Sequence, residues 1–391
     1  MRIALVTDIF LPQLSGIADS VSLLAESFTG RGNTVRIYAP DLPGAEPDAA
    51  IRRQPAWAVP GSGSGLALVS PFGVFADLKR FAPDIIHIHT CSTLGLSAMI
   101  AAKRLSVPLV GTDHTFPADY LHYAGLDYLP FRFVARKSAA LFYNRCSYVT
   151  APSRSMLTEL MNYGLSRPTA VISNQIPLSV FRPLRRSVEL KARLGLGGST
   201  LLLFGRIAVE KNLDFVLEVF ARTSREMDVD LAVIGAGPYQ RAFESKVHAL
   251  GLASRVRMLG VLRGAALVEA INACDIFLTA SLSETQSMSM IQSMACGLPV
   301  VAARAGGLVE YVEDGRTGFL ADAGDPQAFV SPILSLLRDR DIRSRMSAEA
   351  LLAVTRFDTG SIAAQVEKIY SFLLCAEQER DAEGVSLSKY N

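Results

Sequence analysis

Asp275-Ile-Phe-Leu-Thr-Ala-Ser-Leu-Ser-Glu284-Thr-Gln-Ser-Met-Ser-Met-Ile-Gln292-Ser-Met-Ala-Cys-Gly-Leu-Pro-Val-Val-Ala-Ala303 decides how the rest of the chain is read. Asp275 to Thr279 and Val300 to Ala303 are short apolar runs of strand length, and the stretch Ala280–Pro299 between them is a polar loop followed by a helical pattern. Strand, loop, helix and strand in that order predict two parallel neighbours with the loop at the C-terminal edge of the sheet, where open α/β folds bind ligands. Glu284 lies in that loop, and Ser287 or Ser289 is placed to cap the helix. The helix N-terminus favours an anion there.

Working outward, the alternation repeats on both sides. After the connection Pro177 to Arg186 come strand Leu201–Phe204, helix Leu213–Arg222, strand Leu231–Ile234, helix Tyr239–Leu250, strand Val256–Leu259 and helix Ala265–Ala273. Earlier, strands are expected at Ile3–Val6, Val35–Ala39, Ile85–His89, Leu109–Gly111, Tyr148–Ala151 and Ala170–Ser173. A helix runs from the turn at Pro12–Ile17 to Arg31, another spans Leu94–Leu105, and residues 40–65, rich in Pro, Gly, Ala and Ser, read as a connection. The fold class is therefore α/β, with two doubly wound, Rossmann-like domains. Residues 1–177 form the first and 178–359 the second. In 360–391 a terminal helix, Gly360–Leu374, carries the stripe Ile362, Val366, Ile369, Tyr370 and Leu373, which suits either domain, and a polar tail follows.

Composition agrees with this reading. A chain of 391 residues is long enough for two cores, and with half its residues hydrophobic it is compact rather than disordered. The net charge of +2 is too small to imply a nucleic-acid partner, and none is expected. Five cysteines without ligand spacing read as reduced core thiols of a cytoplasmic protein and predict no metal site. The N-terminal apolar run ends at Asp8, too short for a signal peptide, and no stretch reaches the roughly 20 apolar residues of a membrane span, so any membrane contact is peripheral.

The chemistry begins at Phe204-Gly-Arg-Ile-Ala-Val-Glu-Lys211. Arg206 and Lys211 stand just after a strand and just before a helix, an arrangement suited to binding a diphosphate and stabilising it as a leaving group without a metal. Ile234-Gly-Ala-Gly-Pro238 follows the next strand, and Glu310-Tyr-Val-Glu-Asp-Gly-Arg-Thr-Gly318 follows the opening unit. This succession resembles the retaining glycosyltransferases of family four, which have the GT-B fold: two Rossmann-like domains with a nucleotide-sugar held in the cleft. The likeness covers nearly the whole chain, and its most specific motifs lie in the second half.

The resemblance implies a site residue by residue. Arg206 and Lys211 would neutralise the diphosphate, and Glu284 would contact hydroxyls of the donor sugar. Gln292 occupies the place of a second Glu that accepts hydrogen bonds from the ribose, a job one amide oxygen performs in part. Gly237, Leu259, Thr285, Gln286, Ser287 and Met288 complete the donor set. Gly16 is retained from a two-glycine turn in which Ser15 replaces the other glycine, and its backbone would approach the donor closely. Thr112-Asp-His114 matches a motif that aims the imidazole of His114 at the sugar, with Asp113 either an acceptor-side base or a structural cap. His87 and His89 read as core. At the hinge Asn174 is kept and Pro177 replaces an Asp.

The expected reaction is metal-independent and retaining, with a nucleotide-diphosphate sugar, preferably a UDP-sugar, as donor substrate and no cofactor. Glu284, His114, Arg206 and Lys211 would carry it. The acceptor side is read from residues 116–146, where eight aromatics interleave with Arg132, Arg136, Lys137 and Arg145. Such a segment suits an anionic membrane surface, on the inner face of the membrane for a cytoplasmic protein, as it also suits an ordinary core. Asp119-Tyr120-Leu-His-Tyr123 and Phe10-Leu-Pro-Gln resemble the branch that glycosylates diacylglycerol, which makes Tyr120, Tyr123, Arg132, Arg136 and Lys137 acceptor or membrane contacts. The alternatives are a soluble or polysaccharide acceptor, a GT-B epimerase, which needs no acceptor, or a non-catalytic nucleotide-sugar-binding protein, which binds donor without turning it over.

Overall fold

A computed structural model describes residues 1–13, 15–58, 67–69, 73–115, 129–185 and 188–382. The chain divides into two compact units, Met1–Gln175 with Thr359–Asn391, and Ile176–Asp358. The division falls at 175/176 and 358/359, two residues and one residue before the sequence-based limits.

The first unit holds strands β1 (Arg2–Val6), β2 (Thr34–Asp41), β3 (Ile51–Ala58), β4 (Ala67–Val69), β5 (Ile85–Ile88), β6 (Leu109–Thr112), β7 (Tyr148–Ala151) and β8 (Thr169–Val171). They form one sheet in the order β4-β3-β2-β1-β5-β6-β7-β8, parallel except for the β3–β4 pair. The order in which strands are laid down reverses between the parallel neighbours β1 and β5, so the loops after these two strands open apart at the C-terminal edge. One face of the sheet packs on a cluster containing Val6, Ile86, Leu109 and Tyr143, and the other on one containing Leu5, Ile85, Val110, Phe28 and Tyr370. Every residue of the predicted terminal stripe is buried, and Val366, Ile369, Tyr370 and Leu373 share that second cluster with the helix Gly16–Gly30. Each such side chain contributes about 1.5–3 kcal/mol on burial, which is what holds the terminal helix, Thr359–Ala382, on the first unit.

The segment 40–65 differs from its reading as a connection: Ile51–Ala58 is a strand, paired in parallel with β2. Its two arginines, Gln54 and Pro55 hide it, because a strand this far out needs only one apolar face and its partner is supplied by tertiary structure.

The second unit holds β9 (Ser199–Phe204), β10 (Val229–Ile234), β11 (Val256–Gly260), β12 (Ile276–Thr279), β13 (Val300–Ala303) and β14 (Gly318–Ala321). Their order, β11-β10-β9-β12-β13-β14 with every pair parallel, is the doubly wound order, and its switch point lies between β9 and β12. The strand to strand unit that opens the sequence reading is β12, the helix Met288–Ala295 and β13.

Candidate active site

In the second unit the predicted donor residues converge on the switch point. Glu284 follows β12 and Arg206 and Lys211 follow β9, and Lys211 Nζ donates to Glu284 Oε1 at 2.6 Å. Arg206 pairs with Glu210 four residues on, in a short 3-10 turn that ends at Lys211. All four side chains are half-buried, so the two cations and two carboxylates interact in a medium less screening than bulk water. Ser287 is the N-cap of the helix Met288–Ala295, its hydroxyl accepting from the Met290 N–H at 3.4 Å, while Ser289 lies one step inside. Thr285, Gln286, Ser287 and Met288 thus line the approach to that N-terminus, and Gln292 sits in the next turn, buried. Leu259 is the last residue but one of β11, two strands from β9, and packs its side chain on the core.

Glycines let the loops crowd together at this edge. A Cβ on Gly237 would collide with the carbonyl oxygen of Ile207, and one on Gly307 with that of Thr285. In their places Tyr239 N–H donates to Ile207 O at 3.0 Å and Gly307 N–H to Glu284 O at 2.6 Å. Gly237 therefore has a packing duty toward the Arg206 loop that accounts for a glycine there without a ligand. Glu210 was given no role by the sequence reading, although its spacing from Arg206, one helical turn, is a usable signal.

In the first unit Gly16 opens the helix Gly16–Gly30 and Ser15 is its N-cap, accepting from the Ile17 N–H at 3.2 Å. The departure from glycine at position 15 is thus filled by a capping residue. His114 lies beyond the end of β6 and its Nε2 is 3.1 Å from His89 Nδ1. The His89 ring lies against that of His87 in turn, centroids 4.1 Å apart and the planes tilted by 31°. His87 is held at both nitrogens, by Tyr370 Oη and by Thr112 Oγ1, each at 2.6 Å. Burial keeps all three rings neutral, lowering His87 to about 3, His114 to about 4, and His89 well below its ordinary value. A hydrogen bond with Asn174 opposes part of the shift at His114. His87 and His89 are core residues, yet His89 also touches the predicted site residue, a contact that spacing alone did not announce. Asp113 faces the other side of the sheet, where the Tyr143 hydroxyl donates to Oδ1 at 3.3 Å. Burial pushes its carboxyl up to about 7.

The acceptor-side residues are brought together only in part. Tyr120 and Tyr123 lie outside the described residues. Arg132, Arg136 and Lys137 fall on the helix Leu129–Tyr143, which exposes Phe131, Phe133, Val134 and Leu141. Arg136 turns to Glu159, Nε to Oε1 2.6 Å, so its charge is internally paired, while Lys137 is exposed. No helix among the described residues is long and apolar enough to cross a membrane.

Two doubly wound parallel sheets, with a cation and carboxylate set at the switch point of the second, define a glycosyltransferase of the GT-B class. Residues 14–180 match the family described as "Glycosyltransferase Family 4", and residues 198–339 the one described as "Glycosyl transferases group 1". The alpha-monoglucosyldiacylglycerol synthase of Streptococcus pneumoniae is 31% identical over 77% of this chain and 71% of its own. The enzyme of the same name from Acholeplasma laidlawii is 25% identical over 96% of this chain and 98% of its own. Among solved structures, Anabaena HepE in complex with UDP and glucose superposes with a TM-score of 0.76 at 21% identity, covering 95% of this chain and 99% of that one. The chain belongs to glycosyltransferase family 4 and is related to its glycolipid-forming branch.

Proposed function

We propose that the protein transfers a hexosyl group, with retention, from a UDP-sugar to the hydroxyl of a diacylglycerol-type lipid. The observation that carries this reading is the Lys211–Glu284 pair beside Arg206 at the switch point of the second sheet. A diphosphate drawn to that point meets two fixed cations, and the negative charge that develops as the sugar C1–O bond breaks is stabilised without rearrangement. The acceptor hydroxyl adds to C1 from the face the diphosphate leaves, and its proton passes to the departing phosphate oxygen. Atoms and charge balance with no covalent enzyme intermediate and no metal. Glu284, oriented by Lys211, accepts from hydroxyls of the sugar. Positioning supplies the rest of the acceleration.

The lipid acceptor rests on the names of the two curated relatives and on the exposed apolar residues of the helix Leu129–Tyr143, with Lys137 beside them. A face of this kind favours peripheral attachment to an anionic bilayer. Turnover of UDP-glucose on vesicles containing diacylglycerol and an anionic lipid tests the proposal. Lys211→Ala and Glu284→Gln are expected to lower kcat by about 100-fold or more. Undiminished turnover in both variants would remove the site, and turnover on a soluble sugar but not on vesicles would remove the lipid.

A further inference from the structure

At the C-terminal edge of the second sheet the loops lie in the order of the strands they follow, and their joints are of two kinds. The outer joints are backbone on backbone: the loop after β10 rests on that after β9 through Gly235 and Gly237, and the loop after β13 rests on that after β12 through Gly306 and Gly307. The central joint, between the loops after β9 and β12, is made by side chains. There Lys211 reaches Glu284, Asn212 Nδ2 donates to the Ala280 carbonyl at 3.3 Å, and Ser281 Oγ donates to the Glu210 carbonyl at 3.5 Å. The switch point is thus bridged by polar groups that hold the two loops apart at a set width.

Asn212 has two features that its sequence position does not explain. Its backbone is left-handed, with φ 53° and ψ 44°, a conformation Asn tolerates better than most residues because its short side chain bonds locally. It is also the N-cap of the helix Leu213–Glu226, yet its side chain makes no capping hydrogen bond. An Asn cap ordinarily stabilises a helix by about 1 kcal/mol. Here the amide is turned across the switch point instead.

We propose that Asn212 is a positioning residue for the donor site: its left-handed turn ends the segment bearing Lys211, and its amide clasps that segment to the β12 loop bearing Glu284. The width of the crevice, and with it the Lys211–Glu284 geometry, depends on the clasp. This rests on the reading of Lys211 as a donor contact made above. A Gly at 212 keeps the left-handed backbone and removes the clasp, whereas an Asp keeps the shape but has no hydrogen to give Ala280.

The test is a double-mutant cycle read by UDP binding, with UDP-glucose turnover alongside. Asn212→Gly is expected to weaken UDP binding and lower kcat/KM about fivefold to tenfold, and to weaken UDP binding no further when Lys211 is already Ala, because both changes act through one contact. A merely structural Asn212 would give effects that add. Additive losses, or wild-type binding and turnover in Asn212→Gly, overturn the proposal. If Lys211→Ala itself binds UDP and turns over as the wild type does, the functional reading falls instead. Asn212→Asp carries the same comparison should the glycine variant fail to fold.

Discussion

Gln292 places a carboxamide, on a buried turn of the helix Met288–Ala295, where the family resemblance expects a carboxylate. A carboxylate accepting from two ribose hydroxyls makes charge-assisted bonds roughly twice as strong as an amide oxygen makes. Gln292→Glu is therefore expected to tighten UDP binding by about fivefold, roughly 1 kcal/mol, measured by titration calorimetry. Unchanged affinity would mean that this position does not meet the nucleotide. Arg206, Lys211 and Glu284 were legible in the sequence because charge next to a strand end is unusual and needs a use. Asn212 was not, since its role lies in a backbone angle and in a bond to a carbonyl 68 residues away. Arg136 was legible as a charge but not as an internal ion pair, because its partner Glu159 stands on another helix.

At the scale of elements, apolar runs gave away the inner strands, which are covered on both faces, and left β3 unread, since an outer strand needs no such run. The terminal helix was legible as an amphipathic stripe, but the side of the chain it packs on was not. What fixes it in the structure includes hydrogen bonds, with Ser27, Arg31 and Asn33 each donating to the helix, as well as its apolar contacts. Tyr370 is fully buried, and its hydroxyl is 2.6 Å from His87 Nδ1. Removing that hydroxyl leaves a buried imidazole nitrogen unpaired, at a cost of about 1–3 kcal/mol. Tyr370→Phe should accordingly lower the urea midpoint of the first unit's unfolding by that free energy divided by the slope, while leaving the slope itself unchanged. A midpoint equal to the wild type would show that water satisfies His87 Nδ1 instead. Thr112 does not fill that role, for its hydroxyl already lies 2.6 Å from both His87 Nε2 and Thr150 Oγ1.

For the whole molecule, these buried groups set how stability changes with pH. His87, His89 and His114 are all lowered in the folded state, so each stays neutral while its unfolded counterpart takes up a proton below about pH 6.5. Their contribution is complete above that pH and is lost as the solution is acidified toward the folded values. Asp113 works in the opposite sense. Its carboxyl is raised to about 7 by burial, with Glu159 adding to the shift and the Tyr143 and Thr115 hydrogen bonds opposing it, so the folded state holds a proton that the unfolded chain has released. Stability from Asp113 is present at low pH and falls as pH rises through 7. Between about pH 6 and 4 the unfolded chain binds three protons on histidine and the folded chain one on Asp113. The net of two makes stability fall on acidification by up to about 3 kcal/mol per pH unit from these four groups. Asp113→Asn keeps an oxygen for the Tyr143 hydroxyl and removes the buried charge. Its melting midpoint should exceed the wild type's at pH 8, the advantage should shrink as pH falls below 7 and vanish only near pH 4, where the unfolded carboxyl is protonated too, and its decline in acid should be steeper because three histidines are then unopposed. An advantage that stays constant from pH 8 to 5 would mean that Asp113 does not titrate in the folded protein over this range, and that its buried carboxyl is satisfied in a way that leaves the charge stable.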